Sequence, residues 1–150
     1  MTPNLRAKFS LYETDYLAWI EATVQQLERK DLAQVDWENL IEELKDMGRS
    51  ERRSLESNLV VLLTHLLKWQ YQPTMRSGSW KGSITEHRRR LRKALHESPS
   101  LRPYFKEILA ECYSDAVRIA SDETGLSVVS FPQISPHSEA QILDFDFLPT

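Results

Sequence analysis

The residues of this chain that could do chemistry gather around His65 to Trp80, HLLKWQYQPTMRSGSW. A histidine, a lysine, an arginine and two tryptophans surround the end of an apolar helix there. Together with polar residues before and after it, the stretch defines a candidate network or pocket of Glu43, Arg49, Glu51, Asn58, His65, Lys68, Gln72, Arg76, Trp80 and Arg88. These side chains could exchange protons or grip a phosphate. They could equally form a buried ion-pair and hydrogen-bond network that fixes helix register. No local Ser/His/Asp or Cys/His motif accompanies them, so no catalytic residue is assigned.

Three other chemistries are weighed. His65, His87, His96 and His137 are scattered, with no Glu-x-x-His or His-x-x-x-His spacing, and no metal is expected. Four glycines in 150 residues leave no phosphate-binding loop, and no cofactor is expected. The run HRRRLRK (His87–Lys93) offers a candidate basic face of Arg89, Arg90, Arg92 and Lys93, which beside Trp80 could bind a nucleic-acid backbone. Arg90 to His96 also fits a loose Arg-x5-His spacing found in some helical ribonucleases, a pattern that arises often by chance in arginine-rich helices.

These groups must be positioned by helices. Ser10 to Glu13 has capping-box spacing, and Leu17, Ile20, Val24 and Leu27 make one apolar stripe on a helix to about Lys30. Trp19 lies off that stripe. Asp36 is a good N-cap for a second helix with Trp37, Leu40, Ile41, Leu44 and Met47 as its buried face, and Gly48 is read as a break or kink. A central helix over about 50–71 follows, with the seam Leu55, Leu59, Leu62, Leu66 and Trp69. Beside the seam, Glu51, Asn58, His65 and Gln72 recur every seven residues along one edge.

Pro73 ends that helix, Ser77-Gly78-Ser79 is a turn, and a fourth helix covers about 83–97. Its stripe Ile84, Arg88, Leu91 and Leu95 puts an arginine in an apolar position, where it must either snorkel or pair with a carboxylate. Glu43 or Glu51 is the expected partner. A fifth helix carries Leu101, Phe105, Ile108, Cys112 and Ile119 on one face and ends at Gly125. Residues 126–150 hold prolines at 132, 136 and 149 and no Lys or Arg. Phe131, Ile142, Leu143, Phe145, Phe147 and Leu148 mark them as an aromatic arm, with one helical turn after Ser138.

Composition bounds the rest. Length and a 41% hydrophobic content suit one domain, a helical bundle over 1–125 with the arm 126–150 packed on it. The net charge of −3 is uneven: residues 76–93 carry seven Lys/Arg against one Glu. A single cysteine permits no intrachain disulfide, and neither an apolar leader nor a membrane-spanning run is evident, so a cytoplasmic protein is expected.

In order along the chain, Tyr12 with Asp15, ENLIEELKDMGRSERR (Glu38–Arg53), HLLKWQYQP (His65–Pro73), Ser79-Trp80, SPSLRPY (Ser98–Tyr104), ETGL (Glu123–Leu126) and Phe131-Pro132 resemble a bacterial family of unknown function. It is numbered twenty-nine in its series and is abundant in cyanobacteria. His87, where that family usually has Gln, and Ser135, where Cys often precedes the proline, depart from it. The resemblance implies an all-helical fold and no activity.

The expectation is therefore an all-α bundle of about five helices around a central helix near 50–71, closed by the aromatic arm. The leading function is a non-enzymatic cytoplasmic interaction or regulatory module with a protein partner, its oligomeric state open. The alternatives are nucleic-acid binding through 87–93 with Trp80, and an enzyme using the cleft around His65.

Overall fold

The structure, a computed structural model, describes residues 10–150. Six α-helices follow one another: α1 (Leu11–Thr14), α2 (Tyr16–Glu28), α3 (Trp37–Tyr71), α4 (Gly78–Glu97), α5 (Leu101–Thr124) and α6 (Glu139–Leu143). Short 3-10 turns stand between them, and no strand occurs among the described residues. The all-α expectation holds. The chain divides into two compact units, Met1–Gly48 and Arg49–Thr150.

The expected break at Gly48 is absent, and α3 runs unbroken for 35 residues. Glycine in a helix interior costs only about 1 kcal/mol against alanine, too little to end a helix whose neighbours are strong formers. A Cβ at Gly48 would meet nothing within 4 Å, and its φ is not positive; the left-handed glycine is Gly125, at φ 75°, capping α5 as expected.

In the second unit, Leu55, Leu59, Leu62, Leu63, Leu66 and Leu67 of α3 are fully buried. They pack with Ile84, Leu91 and Leu95 of α4, and with Leu101, Phe105, Ile108, Cys112, Tyr113, Ala116, Val117 and Ala120 of α5. Each buried leucine contributes about 1.5–3 kcal/mol of transfer free energy, which makes this seam the main source of cohesion. Ile119, expected on the buried face of α5, is 39% exposed. The buried stripe follows Cys112, Ala116 and Ala120 at fours, and Ile119 is rotated off it. The fourth helix begins five residues earlier than expected: Ser77 caps it, its hydroxyl accepting from the Trp80 N–H at 3.2 Å, so the serine-glycine stretch is a helix start.

The arm lies on this core. Phe131 is buried edge-to-face against Tyr71 at 5.2 Å, and the Tyr113 hydroxyl donates to the Pro132 carbonyl at 2.6 Å. Ser138 and Gln141 form a reciprocal capping box that starts α6, whose Ile142 is fully buried.

The first unit inverts the expected burial. Asp15 caps α2, accepting from the Ala18 N–H at 3.0 Å, whereas Ser10 makes no side-chain cap for α1. Among its described residues Trp19, Thr23 and Val35 are buried. The stripe Leu17, Ile20, Val24 and Leu27 is exposed, and so are Trp37, Ile41, Leu44 and Met47 of α3. Trp19 packs edge-to-face on Tyr12 at 4.8 Å and stacks on Tyr16 at 6.0 Å. Both tyrosine hydroxyls donate to the Glu43 carboxylate, Tyr16 at 2.6 Å. An aromatic cluster tied to one carboxylate, rather than the aliphatic stripe, therefore holds this hairpin together.

Candidate functional site

The ten residues grouped by sequence separate into several places. Glu43 belongs to the tyrosine cluster, and the Glu43 hydrogen bond holds the Tyr12 hydroxyl up at about 12. Arg49 and Glu51 lie exposed on α3. Asn58 is half-buried and donates to the Ser54 carbonyl one turn back at 2.9 Å. Gln72, half-buried, lies just beyond the end of α3. Arg76 folds back onto Trp69, donating to its carbonyl at 2.7 Å with the guanidinium 5.1 Å from the ring centre.

One corner of the second unit does assemble. Lys68 reaches from α3 to Glu123 of α5 at 2.7 Å and lies 4.6 Å over the Trp80 ring of α4. His65 stands one turn before Lys68, close enough for His87 and Glu123 to bear on its charge. Burial, the largest cause, lowers the His65 pKa, and Lys68 adds to this. Its Nδ1 lies 2.8 Å from the Val61 carbonyl, which can only accept, so Nδ1 carries the hydrogen. His87 is held the same way, with Nδ1 at 2.7 Å from the Ser83 carbonyl. That nitrogen cannot also take a proton from the Ser83 hydroxyl 3.3 Å away, so no activated serine results. The lysine is paired, the imidazoles are pinned to backbone, and the corner holds three helices in register. Glu123, at the end of α5, and His87, on α4, fell outside the sequence grouping because neither continues the polar edge of α3 or the apolar stripe of α4.

Arg88 is buried, as the stripe on α4 required, but its partners are not carboxylates. Its Nε, Nη1 and Nη2 donate to the carbonyls of Ile142 at 2.8 Å, Phe147 at 2.6 Å and Gln141 at 3.2 Å. The last carbonyls of a helix have no partner within it, and α6 has this guanidinium as its cap. Burial lowers the Arg88 pKa from its usual value, and Asp144 opposes that shift. Next to it His137 is buried against Phe147, ring centres 5.2 Å apart, with no hydrogen-bond partner at Nε2.

The rest of the basic helix is committed in a similar manner. Arg92 donates to the Leu143 carbonyl at 2.9 Å and covers Phe145 at 4.9 Å. Arg89 and Arg90 share Glu86, whose carboxyl their hydrogen bonds hold down at about 2, and Lys93 lies 3.8 Å from Glu97. Each cation of the expected nucleic-acid face thus has a partner inside the chain.

A groove of about 390 Å³ between α3 and α5 is lined by Glu56, Ser57, Val60, Val61, Glu111, Cys112 and Asp115. Burial, with Glu56 and two further carboxylates behind it, pushes the Cys112 thiol up to about 11, the opposite of what a nucleophile needs. Among the described residues no three His, Cys, Asp or Glu side chains converge as a metal would require, and no helix is long and apolar enough to cross a membrane.

The remaining candidate surface is the hairpin of the first unit. The start of α2 reaches Glu43, two turns into α3, while the end of α2 joins the start of α3, so the two helices run antiparallel. At about 100° per residue, the exposed stripe of α2 sits roughly a third of a turn round from Trp19 and Thr23. Trp37, Ile41 and Leu44 sit about as far round, in the same sense, from Leu40 and Glu43. Antiparallel helices rotated in the same sense bring their stripes to one side. The hairpin consequently shows a single apolar face, with Leu17 64% and Leu44 59% exposed.

No curated protein and no solved structure matches the chain. A family described as "Domain of unknown function DUF29" matches residues 11–148, nearly its whole length. With the helices, the arm and the ordered motifs all inside that match, the chain belongs to the DUF29 family.

Proposed function

We propose that this protein is a non-enzymatic, cytoplasmic interaction or regulatory module that docks a protein partner on the apolar face of its N-terminal hairpin. The observation that carries the reading is the inverted burial. Among the described residues this helical hairpin buries Trp19, Thr23 and Val35, while Leu17, Ile20, Val24, Leu27, Ile41 and Leu44 remain 36% to 64% exposed and keep an apolar stripe in contact with water. A contiguous apolar face left in water marks an interaction site. The alternative chemistries find less support: the His65 corner is satisfied internally, the thiol is held protonated, the arginines cap a helix or pair with Glu86, and Lys93 faces Glu97.

Photo-crosslinking residues placed at Leu44 and Val24 in the native cell test the reading. A discrete polypeptide adduct is expected at both positions and not at exposed Glu107 of α5. Adducts at all three positions alike, or at none, refute the docking face. Turnover of a nucleotide, RNA or ester lost in a folded His65→Ala variant refutes the non-enzymatic assignment.

A further inference from the structure

The hairpin that carries the apolar face is strongly acidic. Between positions 10 and 48 the sequence has ten Asp/Glu and three Lys/Arg. On the helical wheel the acids are not spread at random. Glu21 and Glu28 border the stripe on the outer edge of α2, and Lys45 and Glu38 border it on the outer edge of α3, all exposed. Lys45, the one cation on that edge, already faces Glu42 farther round at 3.5 Å. The surface is a two-helix apolar trough walled by Glu21 and Glu28 on one side and by Glu38, beside the paired Lys45, on the other.

We infer that the occupant of this trough is a basic amphipathic helix of another protein, an assignment that rests on the docking reading above. An amphipathic helix laid between two antiparallel helices inserts its apolar residues at i, i+3, i+4 and i+7. Its flanking positions then meet Glu21 and Glu28 on one side and Glu38 on the other. Lysine and arginine there make oppositely charged pairs that steer encounter and fix register. A second copy of this chain is the competing occupant, and charge disfavours it: symmetric pairing sets carboxylate edge against carboxylate edge. The 13 residues of α2 give a trough about 20 Å long, which a partner segment of about two heptads fills.

The test uses the full chain and three synthetic peptides of about 18 residues, read by fluorescence anisotropy. One has leucine at heptad a and d positions with Lys/Arg at the flanks; one has Glu at the flanks; one is the basic peptide in scrambled order. The basic amphipathic peptide is expected to bind at least about tenfold tighter than either control, and to weaken about tenfold when salt is raised to about 0.5 M. Leu44→Asp should abolish its binding, with Leu44→Ala giving a partial loss and helicity unchanged in both by circular dichroism. Glu21→Lys with Glu38→Lys should shift preference to the acidic peptide. Equal binding of basic and acidic peptides, both lost in Leu44→Asp, overturns the charge assignment and leaves the docking face standing. A dimer in sedimentation that Leu44→Asp dissolves, with no peptide bound, makes the occupant a second copy and overturns the inference alone. No peptide binding, a monomer, and no crosslinked adduct at Leu44 remove both.

Discussion

Replacing Arg88 by methionine removes the clamp on the C-terminal arm, and its effect can be worked from the geometry. The three carbonyls it serves are unequal. The bond to Ile142 is buried, and a buried acceptor left unsatisfied costs about 1–3 kcal/mol. Those to Phe147 and Gln141 are part-buried; water recovers much of each, leaving about 0.5–1.5 kcal/mol apiece. Against this, methionine relieves the desolvation of a buried guanidinium and fills similar volume, which offsets part of the loss. The net expectation is destabilisation by about 2–4 kcal/mol, a fall in melting temperature of roughly 5–15 °C for a chain of this size. Arg88→Lys should fall between, because an ammonium keeps the charge but not the three-way fork. Urea unfolding followed by tryptophan fluorescence measures the total. Hydrogen exchange locates it: amides from 131 to 147 should lose protection before those of α3 and α5. A methionine variant as stable as the parent, with the arm equally protected, would refute the clamp.

Other outcomes follow from single features. Gly48→Ala should stabilise the chain by about 0.5–1 kcal/mol in thermal unfolding, since the site is an unbroken helix interior with open space around the added methyl; a destabilised variant would mean the helix needs glycine there. His65 and His137 have pKa values lowered from 6.5, so the unfolded chain binds more protons just below that pH. Their contribution is present above 6.5 and is lost as pH falls toward the folded values. Stability should therefore drop between about pH 7 and 5, and His137→Gln should flatten that slope; an unchanged slope counts against a neutral buried imidazole. The Cys112 thiol, pushed up to about 11, should resist a thiol-specific dye at pH 8 until denaturant is added, and prompt labelling of the native chain would contradict its burial.

The second unit was largely legible in sequence. Leucines at alternating threes and fours on α3, and Ile84, Leu91 and Leu95 with Arg88 among them, state a buried face whatever the partner helix is. Periodicity fixes which way a side chain points and says nothing of what it meets, hence the mistaken carboxylate for Arg88. The real acceptors are backbone carbonyls, which every residue possesses and which no pattern advertises. The first unit was misread for a related reason. An apolar stripe shows that a face avoids water, and the face of Trp37, Leu40, Ile41, Leu44 and Met47 therefore reads as buried within this chain. The packing of Trp19 on two tyrosines, joined through Glu43, took that place instead. Gly48 misled because local propensity is weak beside the helix formers around it. Of the candidate site, only Lys68, His65 and Trp80 came together, since spacing along one helix cannot name residues contributed by others.

The Arg88 clamp also couples two events. Its acceptors lie 53, 54 and 59 residues further along the chain. Until that segment arrives the guanidinium can satisfy itself only with water, so the α4 face around it cannot dry before the arm docks. Drying of the charge and arrival of its acceptors are then one step, and the arm serves as a latch that seals that face.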